Sequence, residues 1–126
     1  MAETEYILCR GSSLNNAPAA YYTAPSGIYS IGHIYDQRKH IGCYAFDGYG
    51  CCRNWGVYPN RNIPDTYNSP DVVVDNGSIY YNGWALVLIA TYRNGEIRKN
   101  GRLIAVYDGP DAGGGAAAAL VFGWAR

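Results

Sequence analysis

The sequence predicts an all-β fold, either an antiparallel sandwich or a small barrel of about eight to ten short strands. Four Asn-Gly pairs lie in the second half of the chain, and Asn-Gly is the strongest short-range signal for a β-hairpin. The 126 residues also include 13 tyrosines and 16 glycines, a composition typical of half-buried strands joined by tight turns. The four pairs are Asn76-Gly77, Asn82-Gly83, Asn94-Gly95 and Asn100-Gly101.

The first half of the chain divides into short strand candidates separated by turn residues. Proline, serine and glycine at residues 25–27 indicate one turn, and Asp-Gln-Arg-Lys at residues 36–39 is typical of an exposed hairpin tip. The strand candidates are residues 4–9, 19–24, 27–35 and 40–47.

The segment that follows is irregular and then rich in proline. Residues 48–56 are punctuated by glycine, and residues 58–70 contain three prolines with Asn, Asp, Ser and Arg. Proline cannot donate to a strand ladder, so residues 58–70 are predicted to form a long loop. A loop of this length in a compact domain is a candidate for function, or an arm that reaches a neighbour.

The Asn-Gly pairs divide residues 71–107 into a meander of five strands. The third of these, residues 84–92, has no polar residue among its first seven. Such a run is typical of a strand that is buried on both faces at the centre of a sheet. The predicted strands are residues 71–75, 78–81, 84–92, 96–99 and 102–107.

The chain is predicted to be a single domain, residues 1–126, that ends in an apolar tail at residues 112–126. The tail is too short and too glycine-rich to cross a bilayer. We expect it to pack into the core of the domain or onto a neighbouring subunit. The side chains expected to dock are Leu120, Val121, Phe122 and Trp124.

The charge balance argues against two classes of partner. Ten basic and ten acidic residues give a formal net charge of zero, whereas nucleic acids and anionic membranes reward a basic excess. Neutrality leaves little repulsion between copies, so self-association is expected. Membrane insertion is not expected, because the longest apolar stretch is too short to cross a bilayer. The N-terminus has neither a basic segment nor a long apolar run, which predicts synthesis in the cytoplasm without a signal peptide.

One cluster of residues has the chemistry of a metal site. His40 and Cys43 have the spacing of metal ligands, and Cys51 or Cys52 could complete a tetrahedral zinc set. Against this, the chain has no Cys-x-x-Cys pair, and a cysteine in an apolar strand behaves as a small hydrophobic residue. The sequence therefore predicts no cofactor. It also predicts no catalytic residue, because no nucleophile or oxyanion motif accompanies these side chains. The cysteines are expected to be free thiols.

Aromatic and asparagine side chains near the proline-rich loop are the better candidates for binding. Planar rings with asparagine amides suit a sugar, and the same residues suit a protein contact. The candidates are Tyr49, Trp55, Tyr58, Asn60, Asn62 and Tyr67.

These observations predict a non-enzymatic structural or interaction protein that acts as one copy in a larger symmetric assembly. A decoration, tail or fibre protein of a virus or phage particle fits the neutral charge, the tyrosine-rich composition and the apolar tail. The partners would be copies of itself or other subunits of the assembly. The alternative is a lectin-like carbohydrate-binding module whose partner is a glycan.

Overall fold

The fold is a closed antiparallel β-barrel of ten strands around one α-helix, in a computed structural model that describes residues 4–47, 54–65 and 67–125. Each strand pairs with its neighbours in the chain, and the first strand pairs with the last, so the barrel is an up-and-down meander. The all-β prediction is confirmed, with a barrel as its form. The elements are β1 (Glu5–Arg10), β2 (Ala20–Thr23), β3 (Ile31–Asp36), β4 (Lys39–Asp47), β5 (Asn54–Pro59), β6 (Val72–Asp75), β7 (Ser78–Asn82), β8 (Leu86–Arg93), β9 (Glu96–Lys99), β10 (Arg102–Tyr107) and α1 (Asp111–Val121).

Three of the four Asn-Gly pairs form the predicted tight turns. At Asn76-Gly77, Asn94-Gly95 and Asn100-Gly101, the asparagine has φ between 45° and 55° and the glycine between 78° and 89°. Positive φ at both central residues is the geometry of a type I′ turn, which matches the twist of the flanking strands. These turns connect β6 to β7, β8 to β9 and β9 to β10.

The tight turn predicted at Asn82-Gly83 is wrong. Asn82 is the last residue of β7, and residues 83–85 form a longer connection to β8. The backbone N–H of Asn82 donates to the carbonyl of Asp71 at 2.8 Å, and its side-chain amide donates to the carbonyl of Pro70 at 2.9 Å. These bonds hold Asn82 in the extended strand because they tie it to the segment that leads into β6.

The helix α1 fills the interior of the barrel. Its residues Gly113 to Ala119 are all buried and pack against side chains of strands on several sides. A Cβ atom on Gly113 would lie 2.5 Å from the ring of Tyr22, and one on Gly114 would lie 2.4 Å from the ring of Tyr107. The glycines therefore let tyrosine rings of the barrel wall lie directly against the helix backbone.

The prediction of an apolar tail assigned it no secondary structure, and its three successive glycines have low helix propensity. Its enclosure by the barrel overrides that propensity, since a helix pairs most of the backbone groups that are withdrawn from water with one another. No helix among the described residues is long and apolar enough to cross a membrane.

The prediction that residues 84–90 form a strand buried on both faces is also wrong. β8 begins at Leu86, and the side chains of Leu86, Val87 and Leu88 are exposed. The cause is the short length of β9, which pairs with β8 only from Thr91 to Arg93. Burial in β8 begins at Ile89, whose carbonyl accepts a hydrogen bond from the side chain of Lys99, and β9 flanks the strand from Thr91 onward.

Candidate interaction surface

The interior of the barrel is built as a core and is occupied by α1. Tyr22 donates its hydroxyl proton to the carbonyl oxygens of Asp108 and Pro110, and Tyr107 donates to Oδ1 of Asp111 at 2.7 Å. Burial, followed by the nearby aspartates, raises the pKa of both phenols far above the usual range. Both tyrosines therefore stay protonated and serve as structural donors that fix the start of the helix.

A run of five exposed apolar residues lies at the end of the barrel where β7 joins β8. We call residues 84–88, Trp-Ala-Leu-Val-Leu, the apolar ribbon. Trp84 is fully exposed, Leu86 is 42% exposed, and Val87 and Leu88 are each 57% exposed. Successive residues of a strand point to opposite faces, so the ribbon exposes apolar side chains on both faces of the sheet.

The ribbon also has a free backbone edge. On one side it pairs with β7, where Val87 lies opposite Tyr81 and Leu88 opposite Tyr80. On its other side, no strand among the described residues pairs with it, because β9 pairs with β8 only at residues 91–93. The side chain of Lys99 donates to the carbonyl of Ile89 at 3.3 Å, so this edge is covered as far as Ile89. Exposed apolar edges of this kind are templates for pairing with another chain.

A second exposed apolar surface lies at the opposite end of the barrel. Ile28 and Tyr29, between β2 and β3, are highly exposed and border a surface cavity of about 660 Å³ with Phe46 and Ile63. The connection between β2 and β3 and the connection between β7 and β8 lie at opposite ends because adjacent strands of the barrel run antiparallel. One molecule therefore carries the apolar ribbon at one end and an apolar hollow at the other.

The proline-rich loop packs over the outside of the barrel. Pro70 lies so close to Gly56 that a Cβ atom there would be 2.8 Å from the proline ring. Asp65 accepts hydrogen bonds from the backbone N–H groups of Tyr67 and Asn68, at 2.9 and 3.2 Å, which closes a local turn in the loop. These hydrogen bonds lower the pKa of Asp65 and keep it ionised.

The predicted binding residues do not form one site in the structure. Trp55 and Tyr58 lie in β5 and not on a connection: Trp55 packs against Phe46 with ring centroids 5.1 Å apart, and Tyr58 is only 2% exposed. The sequence-based placement of these two on a loop is wrong because β5 pairs with strands on both sides. Asn60, Asn62 and Tyr67 are exposed, and Tyr49 lies outside the described residues.

The predicted zinc ligands that the structure describes do not form a metal site. His40 contacts His33, with Nε2 of the first 3.0 Å from Nδ1 of the second, and burial and then His33 lower the pKa of His40. Cys43 is buried beside its cross-strand partner Tyr58, and burial raises its pKa to about 11, so it remains a thiol. No group of three or more potential ligands converges among the described residues. Cys51 and Cys52 lie outside them.

The predicted docking residues of the tail pack against the core of their own chain. Leu120, Val121, Phe122 and Trp124 are all half-buried at the end of the barrel that carries the apolar ribbon. The rings of Phe122 and Trp124 stack with centroids 5.1 Å apart, and the guanidinium of Arg10 lies 4.8 Å from the centroid of the Phe122 ring. The tail thus closes this end of the barrel. Its docking onto a neighbouring subunit stays a prediction.

Sequence reasoning missed the apolar ribbon as a surface. The run of apolar residues was the signal, but the same run is typical of a buried central strand. Exposure depends on the length of β9, which is set by the position of the Asn100-Gly101 turn relative to Leu86.

Comparison of the chain with protein-family models, with curated proteins and with solved structures gives no match. The function is therefore inferred from the geometry of the barrel and its surfaces.

Proposed function

We propose that this protein is a non-enzymatic interaction protein that works as one subunit of an assembly of identical copies, and that the apolar ribbon is its contact surface. The observation that carries the proposal is the exposure of Trp84, Leu86, Val87 and Leu88 in one uncharged segment with a free backbone edge. Soluble monomers rarely expose a contiguous apolar surface of this kind unless it binds something.

The energetics favour a weak pairwise contact that is repeated in a larger assembly. Burying a half-exposed Leu or Val contributes about 1 kcal/mol, and burying a fully exposed Trp contributes about 3 kcal/mol. Two copies of the ribbon would together gain roughly 10–12 kcal/mol, against an association cost of about 4–15 kcal/mol. A single contact is then marginal. The ribbon would then act together with a second contact surface on each copy, and avidity between the two raises the stability of the whole.

Two further features support this proposal. The net charge of zero leaves no long-range repulsion between copies. The buried tyrosines are held as protonated structural donors, which suits a scaffold better than a reaction site. A virus or phage particle stays the proposed setting, and the carbohydrate-binding alternative also stays a prediction.

The test is the molar mass in solution of matched variants. The wild-type chain should self-associate as its concentration rises to about 1 mM, measured by light scattering and sedimentation velocity. Leu86→Lys/Leu88→Lys should be monomeric, because lysine on an exposed edge opposes pairing. Ile28→Lys/Ile63→Lys is the control, since it places the same two charges on exposed apolar residues outside the ribbon. Its self-association should match wild type.

Circular dichroism and the unfolding midpoint should be unchanged in all the variants, because the replaced side chains are exposed. A wild-type chain that remains monomeric over the whole range would refute the proposal. If that monomer also bound a glycan array, the carbohydrate-binding alternative would replace it.

A further inference from the structure

We infer that the partner seated on the apolar ribbon is the apolar ribbon of a second copy, paired edge to edge and antiparallel about a two-fold axis through Val87. The two sheets would then continue into one another through residues 86–88 of each chain. This inference rests on the proposed function and adds to it the strand, the direction and the register of the contact.

The free backbone edge of β8 allows a second strand to pair with it. β8 has β7 on one side, and among the described residues no strand covers its other side before Thr91. The N–H and C=O groups on this edge of residues 86–88 match those of an identical edge run in the opposite direction. The side chain of Lys99 donates a hydrogen bond to the carbonyl of Ile89, so the unpaired part of the edge ends at Ile89. Asn82, opposite Leu86, points its backbone N–H away from β8, so Leu86 and Leu88 direct their backbone groups to the free edge while those of Val87 face β7. Two residues from each copy therefore supply the new ladder.

The side chains of residues 86–88 determine the register of this pair. Leu86-Val87-Leu88 reads the same in both directions. An antiparallel pair centred on Val87 places Leu86 of each copy opposite Leu88 of the other, so two leucine pairs form on one face. The two valines meet on the other face. Cross-strand pairs of this kind, with Cβ atoms about 4.5–5.5 Å apart, are the stabilising unit of a sheet.

A shift of register by one residue would lose this match. Residue 86 of one copy would then face Val87 of the other, and the axis would fall between residues, so the two leucine pairs could not form together. Charge does not oppose the centred register, because residues 84–88 contain no ionisable side chain. A two-fold contact uses the same surface on both copies, as self-complementary interfaces require.

The test is disulfide formation between single cysteines placed in the ribbon. In a Cys51→Ser/Cys52→Ser background, Val87→Cys should oxidise to a covalent dimer, because the two copies of residue 87 face each other across the axis. Leu86→Cys alone should oxidise about tenfold more slowly, because its two copies are offset along the strands beyond disulfide reach. A mixture of Leu86→Cys and Leu88→Cys should link at the Val87→Cys rate.

Hydrogen exchange of the wild-type chain gives a second measurement that needs no substitution. Amides of Leu86 and Leu88 should exchange more slowly at high protein concentration than at low concentration, while amides of Val87, which faces β7, and of the Asn76-Gly77 turn should not change. The concentration dependence separates pairing between copies from stability within one copy.

Two results would overturn the inference while leaving the proposed function in place. In the first, wild type self-associates but Val87→Cys oxidises no faster than Leu86→Cys. In the second, Trp84→Cys of one copy links to Ile28→Cys of another, which would place the ribbon in the apolar hollow at the far end of the neighbour. A wild-type chain that stays monomeric would instead refute the proposed function itself.

Discussion

Replacing the glycines of α1 by alanine tests the packing of the barrel interior. In a solvent-exposed helix, Gly→Ala stabilises by about 1 kcal/mol, because alanine has the higher helix propensity. Inside this barrel, the new methyl group would meet a tyrosine ring at 2.5 Å in Gly113→Ala and at 2.4 Å in Gly114→Ala. An ordinary contact begins at 3.4 Å. We expect both variants to be destabilised, with overpacking of about 1–3 kcal/mol outweighing the gain in propensity.

The rings in question have no room to move away. Tyr22, which faces Gly113, is held at its hydroxyl by the carbonyls of Asp108 and Pro110. Tyr107, which faces Gly114, is held by Asp111 at 2.7 Å. Both rings belong to buried residues of the barrel wall. The clash must therefore be relieved by shifting the helix or opening the barrel, and both movements disturb the core.

Gly115→Ala is the matched control. Its methyl group would lie 3.0 Å from the ring of Tyr92, a contact that a small adjustment can relieve. We expect a change in stability within about 0.5 kcal/mol of zero, because the helix gain offsets the remaining strain. Urea unfolding followed by circular dichroism and by tryptophan fluorescence measures all three variants. If Gly114→Ala raised the urea midpoint, the close packing of the helix against the tyrosines would be refuted.

Two further predictions concern the turns and pH. Gly77→Ala should lower the stability by about 1 kcal/mol, because alanine resists the left-handed backbone at φ 89°. Gly83→Ala should cost less, because Gly83 has no positive φ and the ring of Tyr81, 2.8 Å from the new methyl group, is 49% exposed and can turn away. Equal losses in urea unfolding would contradict the turn assignment. Burial and then the neighbouring imidazole lower the pKa of His40, so stability should be complete above about pH 6.5 and fall as the pH drops below it. His40→Gln should flatten this dependence, and an unchanged slope would exclude the histidine pair as its source.

The local features of the fold were predictable from short stretches of sequence. Asn76-Gly77, Asn94-Gly95 and Asn100-Gly101 each form the turn that their residue types favour, because positive φ is a local property of two residues. The positions of these turns also predicted the strands that lie between them. Asn82-Gly83 departed from this pattern because Asp71 and Pro70 hold Asn82 in the strand. These hydrogen bonds involve residues more than ten positions away in the chain, so the Asn-Gly dipeptide alone cannot predict them.

The candidate surface was predictable only in part. The sequence identified residues 84–90 as an uninterrupted apolar run, but it assigned the run to the core. It identified Trp55 and Tyr58 as ligand-binding candidates, and both pack within or beneath the barrel wall. Whether an apolar or aromatic side chain is buried depends on which strands flank it, and strand order and length are properties of the whole sheet.

The sequence by itself determined that the chain is an antiparallel all-β domain with tight hairpins, no net charge and an apolar C-terminal segment. Only the tertiary structure decided that the sheet closes into a barrel, that the glycine-rich segment becomes a helix inside it, and that Trp84 to Leu88 are left outside. The physical reason is closure. Joining β1 to β10 creates an enclosed interior that a narrow helix can fill, and the short β9 leaves the first residues of β8 exposed.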